Sequence, residues 1–197
     1  MGAIGNFITN QELTISKDGE VTHGNVNKLI SKAYAKHFQC DLRHFLPSSF
    51  SLVSSNEVVA CTGFQSADHS ELFLEQYLDK PIEQALSIAM DSSIERKDIV
   101  EIGGFAVTSS NHALSFMLQL APAFQNLGFR YAVCTVTYPV RKYLKNLGLD
   151  TVFLGDATPD MVDTSDNAWG SYYRLKPVIL GGNINAAVQK IYNWGDV

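Results

Sequence analysis

A chain of 197 residues that is 46% apolar and 18% charged can bury a real core, and it is too hydrophobic for a disordered segment. Its 20 acidic residues outnumber 15 basic ones for a formal charge of −5, and no basic cluster is longer than the scattered "RKYLK", which argues against a nucleic-acid partner. No apolar run approaches the ~20 residues of a membrane span. The first twenty residues lack the basic and apolar regions of a secretory signal, so the expected location is cytoplasmic. Cys40, Cys61 and Cys134 are odd in number, lie far apart and sit in or beside apolar runs, as buried structural thiols do.

In chain order, "ELTISKDGEVTHG" predicts a strand and a turn at "KDGE", so residues 1–20 read as an N-terminal arm and strand. "NVNKLISKAYAKHF" places Val26, Leu29, Ile30, Ala33, Tyr34 and His37 on one helical stripe, with Asn25 as a plausible cap. "FSLVSSNEVVACTGFQSA" predicts an antiparallel hairpin turning at Ser55-Asn56. In "SELFLEQYLDKPIEQALSIAMD", Pro81 divides a short helix ending near Asp79 from a second helix that begins at the proline, because proline is tolerated in a first turn and poorly tolerated deeper in.

A strand over 99–107, "IVEIGGFAV", leads into "SSNHALSFMLQLAPAFQNLG", a helix started by Ser/Asn and stopped by Gly128. "RYAVCTVTY" is a strand, "PVRKYLKNLG" a proline-started and glycine-stopped helix, and "DTVFLG" another strand. Residues 156–197 read as an acidic loop, an edge strand near 172–180 and a short helix or tail. The order predicts a single α/β domain on a mixed sheet, antiparallel at its start and helix-alternating later. It is not doubly wound, since no G-x-G-x-x-G follows the first strand.

The standard catalytic signatures are missing. The five histidines form no H-E-x-x-H and no cysteine-bearing metal pattern, and there is no G-x-S-x-G elbow or P-loop. Ser109 and Ser110 precede a helix and read as caps.

Three segments are odder than a core requires. Glu75, Gln76 and Tyr77 sit together inside an apolar stretch, where a solvated helix face is the ordinary explanation. The strand at 99–107 carries Glu101 and then Gly103 and Gly104, which on packing grounds alone marks a β-bulge. "WGSYY" at 169–173 gathers aromatics in a polar region, either as a cap on an exposed core edge or as a lid.

These segments share a resemblance. "LFLEQYLDKPIEQAL", "IVEIGGFAV", "TVTYPVRKYLKNLGL", "WGSYY" and "KPVILGG", in this order between about 45 and 182, resemble the thermostable hemolysin family. Members of that family usually read E-[VI]-G-N-L-A at the strand, whereas this chain has Gly104 and Phe105 in place of Asn and Leu. The family is in turn similar to acyl-homoserine-lactone synthases, whose E-L-S-R-F-A-V is matched here at Glu101, Phe105, Ala106 and Val107 but not at the arginine, which falls on Gly104. The missing arginine argues against lactone synthesis from S-adenosylmethionine.

The resemblance implies an acetyltransferase-type (GNAT) fold, in which a central strand splays from its parallel neighbour and an acyl-thioester arm lies in the gap. On that scaffold Glu101 is the expected base or acceptor anchor, and Gly103, Gly104 and Phe105 are the opened strand whose backbone meets the thioester. Thr135 or Thr137 would line the acyl or pantetheine channel, and Glu75, Gln76 and Tyr77 would wall the acceptor side. Arg141 would touch the donor, with an acidic carrier meeting Arg141, Lys142 and Lys145, while Trp169, Tyr172 and Tyr173 form a lid. "TSSNHAL" stands where the GNAT fold keeps its Q/R-x-x-G-x-G/A pyrophosphate loop, which favours acyl carrier protein over coenzyme A as donor. The implied activity is transfer of an acyl group from a thioester to a small amine, with no tightly bound cofactor and no metal. Two other readings stand beside it: a membrane-active hemolysin, as the family's name says, and a non-catalytic acyl-chain binder.

Overall fold

The structure, a computed structural model, describes residues 11–162 and 168–194; the first ten residues of the expected arm and the middle of the acidic loop lie outside that range. The strands are β1 (Gln11–Lys17), β2 (Ser48–Ser54), β3 (Glu57–Ser66), β4 (Ile99–Val107), β5 (Tyr131–Val136), β6 (Val152–Asp156) and β7 (Val178–Asn183). They form one sheet in the order β1-β2-β3-β4-β5-β7-β6, with β4 and β5 parallel and every other neighbouring pair antiparallel. The helices are α1 (Val21–Phe38), α2 (Ile82–Met90), α3 (Ser110–Asn126), α4 (Tyr138–Asn146) and α5 (Ile184–Trp194).

Side-chain alternation assigns the two faces. Ile99 packs with Leu74, Ile82, Leu86 and Val133, whereas its neighbour Val100 packs with Phe50, Phe116, Leu120 and Phe124. One face therefore carries α1 and α2, and the other carries α3, α4 and α5.

Local chemistry explains most boundaries. Ser55 and Asn56 both take positive φ, as a two-residue hairpin turn requires. Ser109 caps α3 by accepting from the His112 N–H at 3.3 Å, and Gly128 follows its C-terminus at φ +91°. Pro81 immediately precedes α2, as expected.

Four expectations need correction. Helix α1 begins four residues before Asn25, at Val21, because the turn at Asp18-Gly19 releases the chain into helix at once. His37 is exposed and off the buried stripe, while His23 is buried and bonded to Ser49 Oγ at 3.0 Å. The helix expected before Asp79 is a single 3₁₀ turn over Phe73–Tyr77, its first N–H groups taken by two carboxylates, its own Glu75 and Glu101 of β4. The strand expected near 172–180 starts only at Val178, after a 3₁₀ turn at Tyr172–Leu175, and it is not an edge: β7 pairs with β5 and β6, which explains why "VILG" is buried throughout.

Candidate active site

Glu101 lies on β4 facing α1 and α2, and only 4% of its surface is exposed. Its Oε2 accepts from the Phe73 N–H at 2.8 Å and its Oε1 from the Leu74 N–H at 3.1 Å. These are the otherwise unpaired donors at the start of the 3₁₀ turn. No side-chain cation reaches this carboxylate among the described residues. Burial pushes its pKa up to about 7; the two N–H donors pull it down, and the nearby Glu75 charge pushes it further up.

Two residues on, β4 leaves its parallel neighbour. The pairing with β5 runs from Ile99↔Tyr131 to Ile102↔Cys134 and stops, although β5 continues to Val136. On the β3 side, Gly104 and Phe105 together oppose the single Thr62, forming the bulge suggested by the glycines. Gly104 has φ +66°, and a Cβ there would meet Ile30 Cδ1 at 3.1 Å. Glycine and asparagine are the residues that enter this left-handed region most readily. The Gly at 104 meets that backbone demand.

The gap joins two cavities, one on each face. The first, of about 330 Å³, lies beside Glu101 and is lined by Gln65, Phe73, Tyr77, Gly103, Trp169 and others. The second, of about 500 Å³, runs between the sheet and helices α3 and α4, and its walls are mainly apolar, with Met117, Leu120, Phe124 and Val140 among them. Gly103, Gly104, Thr135 and Tyr172 line both. Thr135 Oγ1 is buried there with no hydrogen-bond partner among the described residues, which is unusual for a buried polar atom.

The other expected site residues divide. Phe105 and Thr137 line the apolar cavity only. The Trp169 and Tyr172 rings meet at a tilt of 46° (5.5 Å between centroids), and the Tyr173 hydroxyl lies 2.7 Å from that of Tyr77. Gly170 fastens this aromatic segment to the end of α1. Its φ is +49°, and a Cβ on it would overlap the Phe38 carbonyl oxygen, which accepts from the Ser171 N–H at 2.7 Å.

Glu75 does not reach the first cavity. It is clamped by Arg96 at 2.8 and 2.9 Å and accepts from the Leu72 and Ile82 N–H groups. Burial pushes its pKa up, but Arg96 and the two backbone donors outweigh that and leave it below the usual carboxylate range. Gln76 is exposed and donates to the Phe73 carbonyl, and Arg141 is exposed and lines neither cavity. The local sequence gives no sign that Arg96 claims Glu75, because the contact spans 21 residues. Sequence reasoning also missed Tyr34 of α1, which lines both cavities; it reads as one more stripe residue. Burial pushes the Cys134 and Cys61 thiols up to about 12, so neither is a ready nucleophile.

Residues 17–188 match the thermostable hemolysin family. The chain belongs to that family. No curated protein sequence matches it. Among solved structures, the AHL synthase LasI superposes on this thermostable hemolysin family member with a TM-score of 0.64 at 16% identity, covering 93% of this chain and 95% of LasI. BjaI, a CoA-dependent acyl-homoserine lactone synthase crystallised with SAM and isopentyl-CoA, gives 0.63 at 9% identity, covering 93% and 89%. FeeM, an N-acyl amino acid synthase from uncultured soil microbes, gives 0.62 at 10% identity, covering 93% and 96%. At these identities the likeness establishes the fold, which is the GNAT-like mixed sheet of the autoinducer synthases.

Proposed function

We propose that this thermostable hemolysin family member is an acyltransferase that moves an acyl group from a thioester to a small amine-bearing acceptor. The observation that carries this reading is the position of Glu101: a buried carboxylate, unpaired by any cation among the described residues and poised near neutrality, at the point where a polar-rimmed cavity and an apolar cavity meet through a gap in the sheet. Perturbed carboxylates in clefts are characteristic of acid–base sites.

In this reading the acyl chain occupies the apolar cavity and the thioester carbonyl sits in the gap beside Gly103 and Gly104. The backbone of β4 has lost its β5 partner there and can donate to the carbonyl oxygen as negative charge develops. The acceptor enters from the Glu101 side. Its ammonium gives a proton to the carboxylate, the free amine forms the N–C bond, and the tetrahedral intermediate collapses with cleavage of C–S. The second proton of the attacking nitrogen goes to the departing thiolate, and the proton held by Glu101 passes to solvent, which restores the carboxylate. Trp169 and Tyr172 cover the reacting atoms, and Thr135 Oγ1 supplies a hydrogen bond to carbonyl or amide. The donor is a thioester on carrier protein or coenzyme A, with the exposed Arg141 on α4 as a contact for the carrier.

The family's name favours direct membrane lysis, but no helix among the described residues is long and apolar enough to cross a membrane. The testing experiment is mass spectrometry of protein incubated with acyl-CoA and acyl-carrier donors and a pool of amines and amino acids. A new N-acyl product that disappears in Glu101→Gln is the expected result. Tight binding of acyl chains without turnover by the wild type would refute the enzyme reading in favour of a binder, and dye release from liposomes without any donor would favour lysis.

A further inference from the structure

The walls of the cavity beside Glu101 bear on what the acceptor is, given the acyl-transfer reading above. They hold two carboxylates, Glu101 and Glu71, and no Lys or Arg. The residues outside the described ranges, 1–10, 163–167 and 195–197, have no Lys or Arg among them either. Glu71 is exposed and has no ion-pair partner among the described residues, so it brings uncompensated negative charge to the rim. His44, also exposed, is the one histidine in the lining. The remaining polar side chains are neutral: Asn27, Gln65, Tyr34, Tyr77, Tyr172 and the Thr135 hydroxyl, which has no partner among the described residues.

Arg96 is already committed to Glu75 and Glu83 and lines a neighbouring surface hollow that shares Glu71, and Arg43, between the lining residues Leu42 and His44, pairs with Asp41 and lines neither. The Phe73 and Leu74 N–H groups, which would otherwise make an anion cradle, point at Glu101 itself.

An α-amino acid carries its ammonium and its carboxylate on the same carbon, two bonds apart, so seating that amine on Glu101 would bring the carboxylate into this wall. A buried carboxylate without a cation or strong donors is heavily disfavoured, and two like charges nearby add repulsion. We infer that the acceptor is a small aliphatic amine bearing no carboxylate, such as a diamine, polyamine or amino alcohol, whose ammonium is held by Glu101 and whose second cationic or hydroxyl group lies toward Glu71 and Gln65. The aromatic rings of Phe73, Tyr77 and Trp169 suit such a cation as well.

Matched pairs that differ only by the carboxylate test this directly: cadaverine against lysine, putrescine against ornithine, and ethanolamine against serine. With a fixed acyl donor, kcat/KM for N-acyl product is expected to favour the decarboxylated member of each pair by at least about tenfold, or about 1.4 kcal/mol. The exposed Glu71→Lys substitution is expected to shrink that preference several-fold by giving a carboxylate its missing cation. Amino acids that react as well as their amines, or a preference unmoved by Glu71→Lys, would overturn the inference while leaving acyl transfer standing. Ligand-observed NMR on the unacylated protein separates the two readings if no product forms. Cadaverine binding without lysine binding would uphold the amine site although the enzyme reading fails, and equal binding or none would defeat the amine site.

Discussion

Glu75 and Glu101 both accept from N–H groups at the start of the same short turn, and both are more than nine-tenths buried, yet their surroundings give them opposite chemistry. Glu75 has a bidentate arginine and two backbone donors, so it stays ionised and anchors the Phe73–Tyr77 turn to the start of α2. Glu101 has two backbone donors and no cation among the described residues, so burial prevails and pushes its pKa up to about 7 beside a cavity. Neither is open to solvent; Glu75 has a guanidinium beside it, and Glu101 lies deeper without one. A buried carboxylate that is fully satisfied is a structural device, whereas one left partly unsatisfied can exchange a proton at neutral pH.

The sharpest way to break this comparison is to remove one carboxylate's charge. Glu101→Gln is expected to reduce acyl transfer by roughly 10²- to 10⁴-fold, the range for loss of a general base, while circular dichroism shows the fold retained. Glu75→Gln should lower the urea midpoint far more than it lowers the rate of a correctly folded sample.

Removing the cation tests the other side. Arg96→Met leaves Glu75 buried and unpaired, and should cost about 3 kcal/mol of stability by urea unfolding, toward the low end of the buried-pair range because the arginine is partly exposed. Adding Glu75→Gln to Arg96→Met should recover part of the loss. A double variant no more stable than Arg96→Met would mean that the pair contributes little.

The pH dependences should run in opposite directions. The proton on Glu101 is held more tightly in the folded state, so its contribution is full below its ordinary value of 4.5 and is lost as pH rises through about 7. The total is on the order of 3 kcal/mol. Glu75 contributes above its ordinary value, and that contribution is lost as pH falls through its lowered one. Unfolding titrations of wild type and Glu101→Gln between pH 4 and 8 should therefore differ in slope, the variant lacking the decline toward pH 7. Turnover, which needs the ionised carboxylate, should rise through the same interval.

The smallest effect concerns the bulge. Gly104→Asn should be tolerated better than Gly104→Val by about 1–2 kcal/mol, because asparagine accepts positive φ and a β-branched residue does not. Equal destabilisation would indicate that contact with Ile30, rather than backbone conformation, governs the position.

Much of this was readable in the chain. Glu101 followed by two glycines marked a strand that departs from plain core packing, Ser55-Asn56 marked a hairpin, and Pro81 and Ser109 marked helix starts; each of these depends on φ preferences or capping within a few residues. The block Glu75-Gln76-Tyr77 looked like one functional unit and is instead three side chains with separate tasks. The GNAT-like plan was legible through resemblance, but the insertion of β7 between β5 and β6 was not, because strand order depends on which edges remain open once the other elements have packed.

What the sequence by itself determined was therefore local: the turns, the caps, the bulge at Gly104, and the presence of a carboxylate within an apolar strand. The tertiary structure decided which carboxylate would be neutralised. Arg96 lies 21 residues beyond Glu75 and only five before Glu101, yet it pairs with Glu75, since β4 carries Glu101 into the sheet while the 3₁₀ turn folds back over Arg96. Charge compensation in a buried site is set by distance in space, and no local spacing in the chain encodes it.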